Sequence, residues 1–142
     1  VASDLYKALP KKKLKEMQFA LSVDDLLVSG VVDCVVETAD GLLLVDYKTG
    51  RPPKQDEVKV GYAYQLAIYK CAVEKLLNKK VIEAKLHFLQ NLSEWSMPMD
   101  KDYLDASLAL CNEIRSKGKE EDFTCNLANC KYCPYNYLCP QK

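Results

Sequence analysis

The 142-residue chain carries 20 basic and 20 acidic side chains, for a formal net charge of zero. Its hydrophobic fraction of 49% and charged fraction of 28% are those of an ordinary globular domain able to bury a core. This balance gives no compositional sign of nucleic-acid or membrane binding, so any basic surface must be local. No apolar run approaches the roughly 18 residues of a membrane span, and no signal peptide is visible. A cytoplasmic protein with no membrane partner is expected. The first residue is Val1 rather than methionine, as in a piece cut from a larger protein.

Residues Ser3 to Leu9 suit a short helix stopped by Pro10, and a lysine cluster follows at Lys11, Lys12, Lys13 and Lys15. "LKEMQFALSV" alternates in part, as an edge or half-buried strand does, and "SVDDL" reads as a turn. "LLVSGVVDCVVET" is β-branched and apolar, and "ADG" makes a tight hairpin to the next strand. That strand, "LLLVDYKT", is continuously apolar, as expected in the middle of a covered sheet. "GRPPKQDE" is a loop. From about Val58 to Leu77 a helical period sets Tyr62, Leu66, Tyr69, Val73 and Leu77 near one face. Alternation from Val81 to Leu89 predicts another strand, followed by a polar turn and Pro98. "KDYLDASLALCNEIRSK" is an amphipathic helix with acidic residues in its first turn and basic ones in its last. From Gly118 the chain is short, polar and cysteine-rich. The order strand, strand, strand, helix, strand, helix, cysteine tail predicts an α/β or α+β layer on a mixed sheet.

Asp33 lies inside one hydrophobic strand and Asp46 ends the next. The hairpin at Ala39 to Gly41 makes these strands antiparallel neighbours, so both carboxylates can lie near one sheet edge. Burying two aspartates among valines and leucines is costly unless something compensates. A divalent cation would do so, and carboxylate oxygens suit Mg²⁺ or Mn²⁺. Lys48 falls two residues after Asp46, on the same face by strand alternation. A carboxylate beside a cation is the pair needed to bind a metal and stabilise a phosphorane-like transition state. From "DYK" alone, a salt-bridged Asp and Lys at a strand end is the plainer reading.

The neighbours change that balance. Gly30 and Asp33 form "GVVD", "DYKTG" follows after the hairpin, and Gln65 and Tyr69 sit at i and i+4 on the next helix. The ordered set GxxD, DYK, QxxxY resembles the RecB-like branch of the PD-(D/E)XK nuclease superfamily, over roughly residues 14 to 139. That branch includes the nuclease domains of helicase–nucleases and CRISPR-associated exonucleases. The resemblance implies a restriction-endonuclease-like mixed central β-sheet flanked by helices, with a C-terminal cysteine-rich tail. It divides the chain into a nuclease core at 1–118, N-terminally truncated, and a tail at 119–142 that packs on it.

Carried over to this chain, Asp33 and Asp46 resemble metal ligands, with the backbone carbonyl of Tyr47 completing the protein's share. Lys48 resembles the residue that orients or activates the attacking water. Gln65 and Tyr69 resemble the helix pair that braces the site and contacts the DNA backbone. Glu16 matches a commonly acidic position of the family, and otherwise reads as a solvated strand residue. Many RecB-like nucleases carry a metal-binding histidine upstream of this core. The single histidine here, His87, follows the QxxxY helix and reads as a strand histidine with a structural partner.

Of seven cysteines, Cys34, Cys71 and Cys111 are scattered singly and read as buried small hydrophobes. Cys125, Cys130, Cys133 and Cys139 crowd the end of the chain. With no export signal and an odd total, a secreted disulfide framework fits poorly, whereas Cys-x2-Cys suits two thiolates on one metal. Cys130, Cys133 and Cys139 are similar to the C-terminal triad of RecB-like nucleases that carry a [4Fe–4S] cluster. Cys125 or a cysteine elsewhere in the parent protein is the fourth ligand in that reading; zinc and free thiols are the alternatives.

The leading functional expectation is an exonuclease-type, metal-dependent DNA nuclease domain in DNA repair or recombination, delivered by a helicase in the same chain or complex. DNA would approach along Lys11 to Lys15 and past Arg51 and Lys54, although lysine runs are usually solvated faces. A catalytically silent DNA-binding or scaffolding module of the same fold is the second expectation. A zinc-binding interaction domain, resting on the tail alone, is the third.

Overall fold

Leu42 to Val45 are buried on both sides of their strand, and the sheet is built outward from them. In this computed structural model the described residues are 13–23, 25–50, 52, 60–117, 130, 133, 137 and 138. Five strands, β1 (Lys13–Val23), β2 (Leu26–Glu37), β3 (Leu42–Lys48), β4 (Val81–Phe88) and β5 (Ser93–Ser96), lie side by side in chain order. Two helices are present among the described residues, α1 (Val60–Leu77) and α2 (Tyr103–Ser116). β1, β2 and β3 pair antiparallel, β3 and β4 pair parallel across the α1 crossover, and β5 returns antiparallel on β4. This is a mixed sheet with helices, the α+β arrangement of a restriction-endonuclease-like fold. Neither helix is long and apolar enough to cross a membrane.

The hairpin between β2 and β3 closes on Thr38, whose N–H donates to the Gly41 carbonyl at 2.8 Å and whose hydroxyl accepts from the Gly41 N–H. A Cβ on Gly41 would lie 2.7 Å from the Lys80 carbonyl oxygen. That same oxygen accepts from Leu42 N–H at 2.9 Å, so the missing side chain lets β3 dock onto the start of β4.

Each face of the sheet has its own apolar layer. On one, α1 buries Ala63, Leu66, Ala67 and Val73 against Val32, Val35, Leu44, Leu86 and Phe88. Tyr62, Tyr69 and Leu77 flank that stripe, half-buried. The other layer holds Cys34, Val36, Leu43 and Val45, with Tyr47 packed against it. Burial pushes the Cys34 thiol above its ordinary value of 9.0 despite the nearby Lys13, which suits an inert packing role. Tyr64 and Tyr103, with ring centroids 6.4 Å apart, join α1 to α2. Asp102 caps α2, its carboxylate accepting from the Asp105 N–H at 3.2 Å.

Two expectations are corrected. Ser93–Ser96, read as part of a polar turn, forms β5, because Leu86↔Trp95 and His87↔Glu94 pair and Trp95 packs on the core. β4 does not alternate between buried and exposed: Ala84 to Phe88 are all buried. Its polar members are accommodated by partners. Lys85 Nζ lies 3.1 Å from Glu83 and 3.2 Å from Glu94, and His87 Nδ1 lies 3.1 Å from Glu94 Oε1. The helix expected over Ser3 to Leu9 and the core–tail boundary near 118 lie outside the described residues.

Candidate active site

β2 and β3 part at the pair that carries the aspartates. Their ladder runs from Glu37↔Leu42 to Cys34↔Val45, and the same register continued by one position would match Asp33 to Asp46, where the pairing stops. There Asp33 Oδ2 accepts the backbone N–H of Tyr47 at 2.8 Å, so a side-chain carboxylate takes the donor offered by the parting strand. The break has a local cause. Val32 and Val35 both belong to the layer under α1, three residues apart, so β2 changes face through Asp33. β1 changes face alongside it, since Leu14 and Met17 share that layer, and the intervening Glu16 adopts φ 50°. A left-handed glutamate costs about 1 kcal/mol. The face change takes Asp33 out of strict alternation, beside the end of β3. Lys15, Glu16, Asp33, Cys34 and Tyr47 line a cleft of about 500 Å³ there.

Asp46 is 3% exposed, and burial pushes its carboxyl above the ordinary value of 3.8. The Lys48 ammonium opposes that rise without cancelling it, and the charge of Asp33 adds to it. Lys48 Nζ lies 2.7 Å from Asp46 Oδ2, yet among the described residues that oxygen has no aligned hydrogen-bond donor. The contact is thus a close approach of charges in poor hydrogen-bond geometry, and it leaves a buried carboxylate oxygen under-satisfied.

Lys48 is the hub. Its ammonium donates to Gln65 Oε1 at 2.8 Å and sits 5.0 Å from the Tyr62 ring centroid. Gln65 Nε2 donates in turn to the Tyr69 hydroxyl at 2.9 Å. Tyr62, Gln65 and Tyr69 therefore form one stripe of α1, at i, i+3 and i+7, over the end of β3. Phe19 fixes the far end of this chain, meeting Tyr69 edge to face with centroids 5.7 Å apart. Phe19 is opposite Gly30 in the ladder, and a Cβ on Gly30 would come within 2.9 Å of two atoms of its ring. The glycine of "GVVD" thus makes room for the aromatic that seats Tyr69.

The structure brings Asp33, Asp46, Tyr47, Lys48, Gln65 and Tyr69 together at one end of β3. Glu16 stands at the rim of the cleft beside Asp33, exposed. Among the described residues no group of three His, Cys, Asp or Glu side chains is placed to hold a metal ion. What these residues offer a cation is two carboxylates close enough for the charge of Asp33 to act on Asp46, one of them with a buried oxygen that lacks an aligned donor among the described residues. His87 is 2% exposed, paired with Glu94 and edge-on to Tyr47 on the opposite face of the sheet. The helical period set Tyr62 near the inner face of its helix, but sequence reading missed its contact with Lys48 and the Phe19–Gly30 packing.

In the tail, Cys133 N–H donates to the Cys130 carbonyl at 3.2 Å, and neither thiol is in a disulfide. Cys125 and Cys139 lie outside the described residues, as do Arg51, Lys54, Lys11 and Lys12.

The family model of the PD-(D/E)XK nuclease superfamily matches residues 4–140. An ATP-dependent helicase/nuclease subunit from Moorella thermoacetica is 40% identical over 88 residues, which is 62% of this chain and 6% of that protein. Its counterpart from Pelotomaculum thermopropionicum is 46% identical over 67 residues, 46% of this chain and 5% of that protein. The matched stretches thus span about a twentieth of the length of these curated relatives, so this chain corresponds to a small part of them. The crystal structure of SSO0001 superposes with a TM-score of 0.61 at 18% identity, covering 99% of this chain and 65% of that one, a likeness of fold.

Proposed function

This chain belongs to the PD-(D/E)XK nuclease superfamily, and from that premise we propose that it is a metal-dependent, exonuclease-type DNA nuclease domain hydrolysing phosphodiester bonds. The observation that carries the reading is the juxtaposition of Asp33 and Asp46 where two strands part, with Lys48 beside them. The resemblance to ATP-dependent helicase/nuclease subunits supports a helicase as its partner, a setting in DNA repair or recombination and a cytoplasmic location.

Asp33, Asp46 and the Tyr47 carbonyl would hold Mg²⁺ or Mn²⁺. The fit rests on the buried Asp46 Oδ2, which faces the Lys48 ammonium but has no aligned donor among the described residues. A divalent cation bound there supplies Lewis-acid polarisation of the scissile phosphodiester. The chain's own residues do the rest. The Tyr47 N–H pins the Asp33 carboxylate, so one wall of the site is fixed before substrate arrives. Lys48, aimed by Gln65, presents an ammonium to the attacking water and to the charge that develops on the phosphoryl oxygens. Gln65, itself held by Tyr69, braces that ammonium from the helix, and the pair would contact the DNA backbone. Arg51 and Lys54, which follow β3 in the sequence, and the lysines near the N-terminus would add local phosphate contacts. Cys130, Cys133 and Cys139, with Cys125, would hold a structural [4Fe–4S] cluster or zinc ion in a tail that folds back on the core. The Cys133 N–H bond to the Cys130 carbonyl keeps these two cysteines close, as two thiolates on one centre require.

The test is Mn²⁺-dependent digestion of single- and double-stranded DNA by the wild type, Lys48→Ala and Asp46→Ala. Digestion by the wild type, with both variants lowered roughly a hundredfold or more, is expected for loss of a transition-state charge partner. Equal activity in all three would remove the assignment, and binding of DNA without cleavage would favour a silent module of the same fold.

A further inference from the structure

We propose that Tyr62 is a positioning residue for Lys48, its ring holding the ammonium in place when a divalent cation engages Asp46. The role in catalysis rests on the nuclease reading above; the contact itself does not. Among the described residues, three groups surround Lys48 Nζ: Asp46 Oδ2 at 2.7 Å, Gln65 Oε1 at 2.8 Å and the Tyr62 ring centroid at 5.0 Å. Of these, only Asp46 carries charge, so Coulomb attraction favours it most. It is also the group whose oxygen a cation would take. A divalent charge on that carboxylate weakens its hold on the ammonium and repels it.

The other two contacts do not compete for the cation. The Gln65 oxygen is neutral and already ordered by the bond that Gln65 makes to Tyr69. An aromatic face attracts an ammonium within about 6 Å of its centroid, more strongly where water is excluded. The Lys48 side chain is 20% exposed, so much of its water is already stripped. Tyr62 lies one turn before Gln65 on the same stripe of α1, so the helix sets the ring and the amide oxygen around the ammonium as one rigid pair. The attraction comes from the ring and not from the hydroxyl. Phenylalanine should therefore serve at position 62, and leucine, which fills similar space without a π face, should not.

Tyr62 also packs on the core, so the test needs a readout that packing alone would not move. A proton held over an aromatic face resonates upfield, which makes the ε-methylene of Lys48 a direct reporter. The experiment records that resonance with and without Mg²⁺ in the wild type, Tyr62→Phe and Tyr62→Leu, alongside DNA cleavage and melting temperature. Expected is an upfield ε-methylene in the wild type and Tyr62→Phe, retained with Mg²⁺, and its return to the ordinary lysine position in Tyr62→Leu. Cleavage should fall about tenfold in kcat for Tyr62→Leu, with KM little changed, and stay near wild type for Tyr62→Phe. A Lys48 resonance unmoved by Tyr62→Leu, or equal kcat losses in the two variants, would overturn the proposal. Absence of cleavage in the wild type would overturn the catalytic role together with the nuclease reading, while the resonance would still decide whether Tyr62 holds the ammonium.

Discussion

The Asp33 carboxylate accepts the Tyr47 backbone N–H at 2.8 Å, next to Asp46 in the chain and just beyond the last pair of the ladder between their strands. One side chain thus ends the pairing, satisfies the freed donor and stands at the candidate site. These duties separate by substitution. Asp33→Asn keeps an acceptor for Tyr47 N–H while removing the charge, whereas Asp33→Ala removes both. Urea unfolding should place Asp33→Ala about 1–3 kcal/mol below wild type and Asp33→Asn much closer to it, with DNA cleavage lost in both. Equal destabilisation by the two would show that the hydrogen bond contributes nothing.

Asp46 makes stability depend on pH in a direction that its burial fixes. Because its native pKa is raised above the ordinary 3.8, the folded state binds this proton more tightly than the unfolded chain. The associated stability is fully present below 3.8 and is lost as pH rises through the higher native value. Asp46→Asn should therefore unfold at higher urea than wild type at neutral pH in metal-free buffer, and the gap should close below the ordinary aspartate value. Lower stability of Asp46→Asn at neutral pH would mean that the Lys48 contact outweighs burial.

Gly30 and Phe19 are coupled by contact. An added Cβ at Gly30 meets the Phe19 ring at 2.9 Å, and that ring seats Tyr69. Gly30→Ala should cost about 1–3 kcal/mol, as overpacking does, and lower cleavage by displacing Tyr69. Adding Phe19→Leu to Gly30→Ala should recover part of the stability and little of the activity. Strict additivity of the two changes in thermal melts would rule out the coupling.

The ionic group on the opposite face of the sheet has a structural role. Burial pulls the Lys85 pKa down, but hydrogen bonds and charge from Glu83 and Glu94 outweigh it and leave the net shift upward from 10.5. The stabilisation is present below 10.5 and is lost as pH rises through the raised native value. Both glutamates are partly exposed, so Glu94→Gln should cost only about 1–2 kcal/mol. It should also leave DNA cleavage unchanged at neutral pH. A loss of cleavage without a loss of stability would place this cluster in the active site instead.

The fold was legible where one physical signal dominated. The unbroken apolar run of β3 marked a strand covered on both faces, and the 3.6-residue period of α1 located Leu66 and Val73 in the core. The order GxxD, DYK, QxxxY brought the residues of the candidate site to attention because spacing on a strand and on a helix survives folding. β5 was not legible, since its four residues gain their strand character from pairing with β4 rather than from their own composition. Nor were the face change at Glu16 and Asp33, the Phe19–Gly30 contact, or the Tyr62 ring beside Lys48. Each depends on which residues meet across strands or between strand and helix, which no local pattern encodes.

The central claim, that Asp33 and Asp46 share one cation, is tested most directly by calorimetric titration of Mn²⁺ into the metal-free protein. Wild type, Asp33→Asn and Asp46→Asn would be compared at neutral pH. The account predicts a binding isotherm in the wild type that is lost in each single variant. Affinity unchanged by either substitution, in proteins that remain folded, would contradict it.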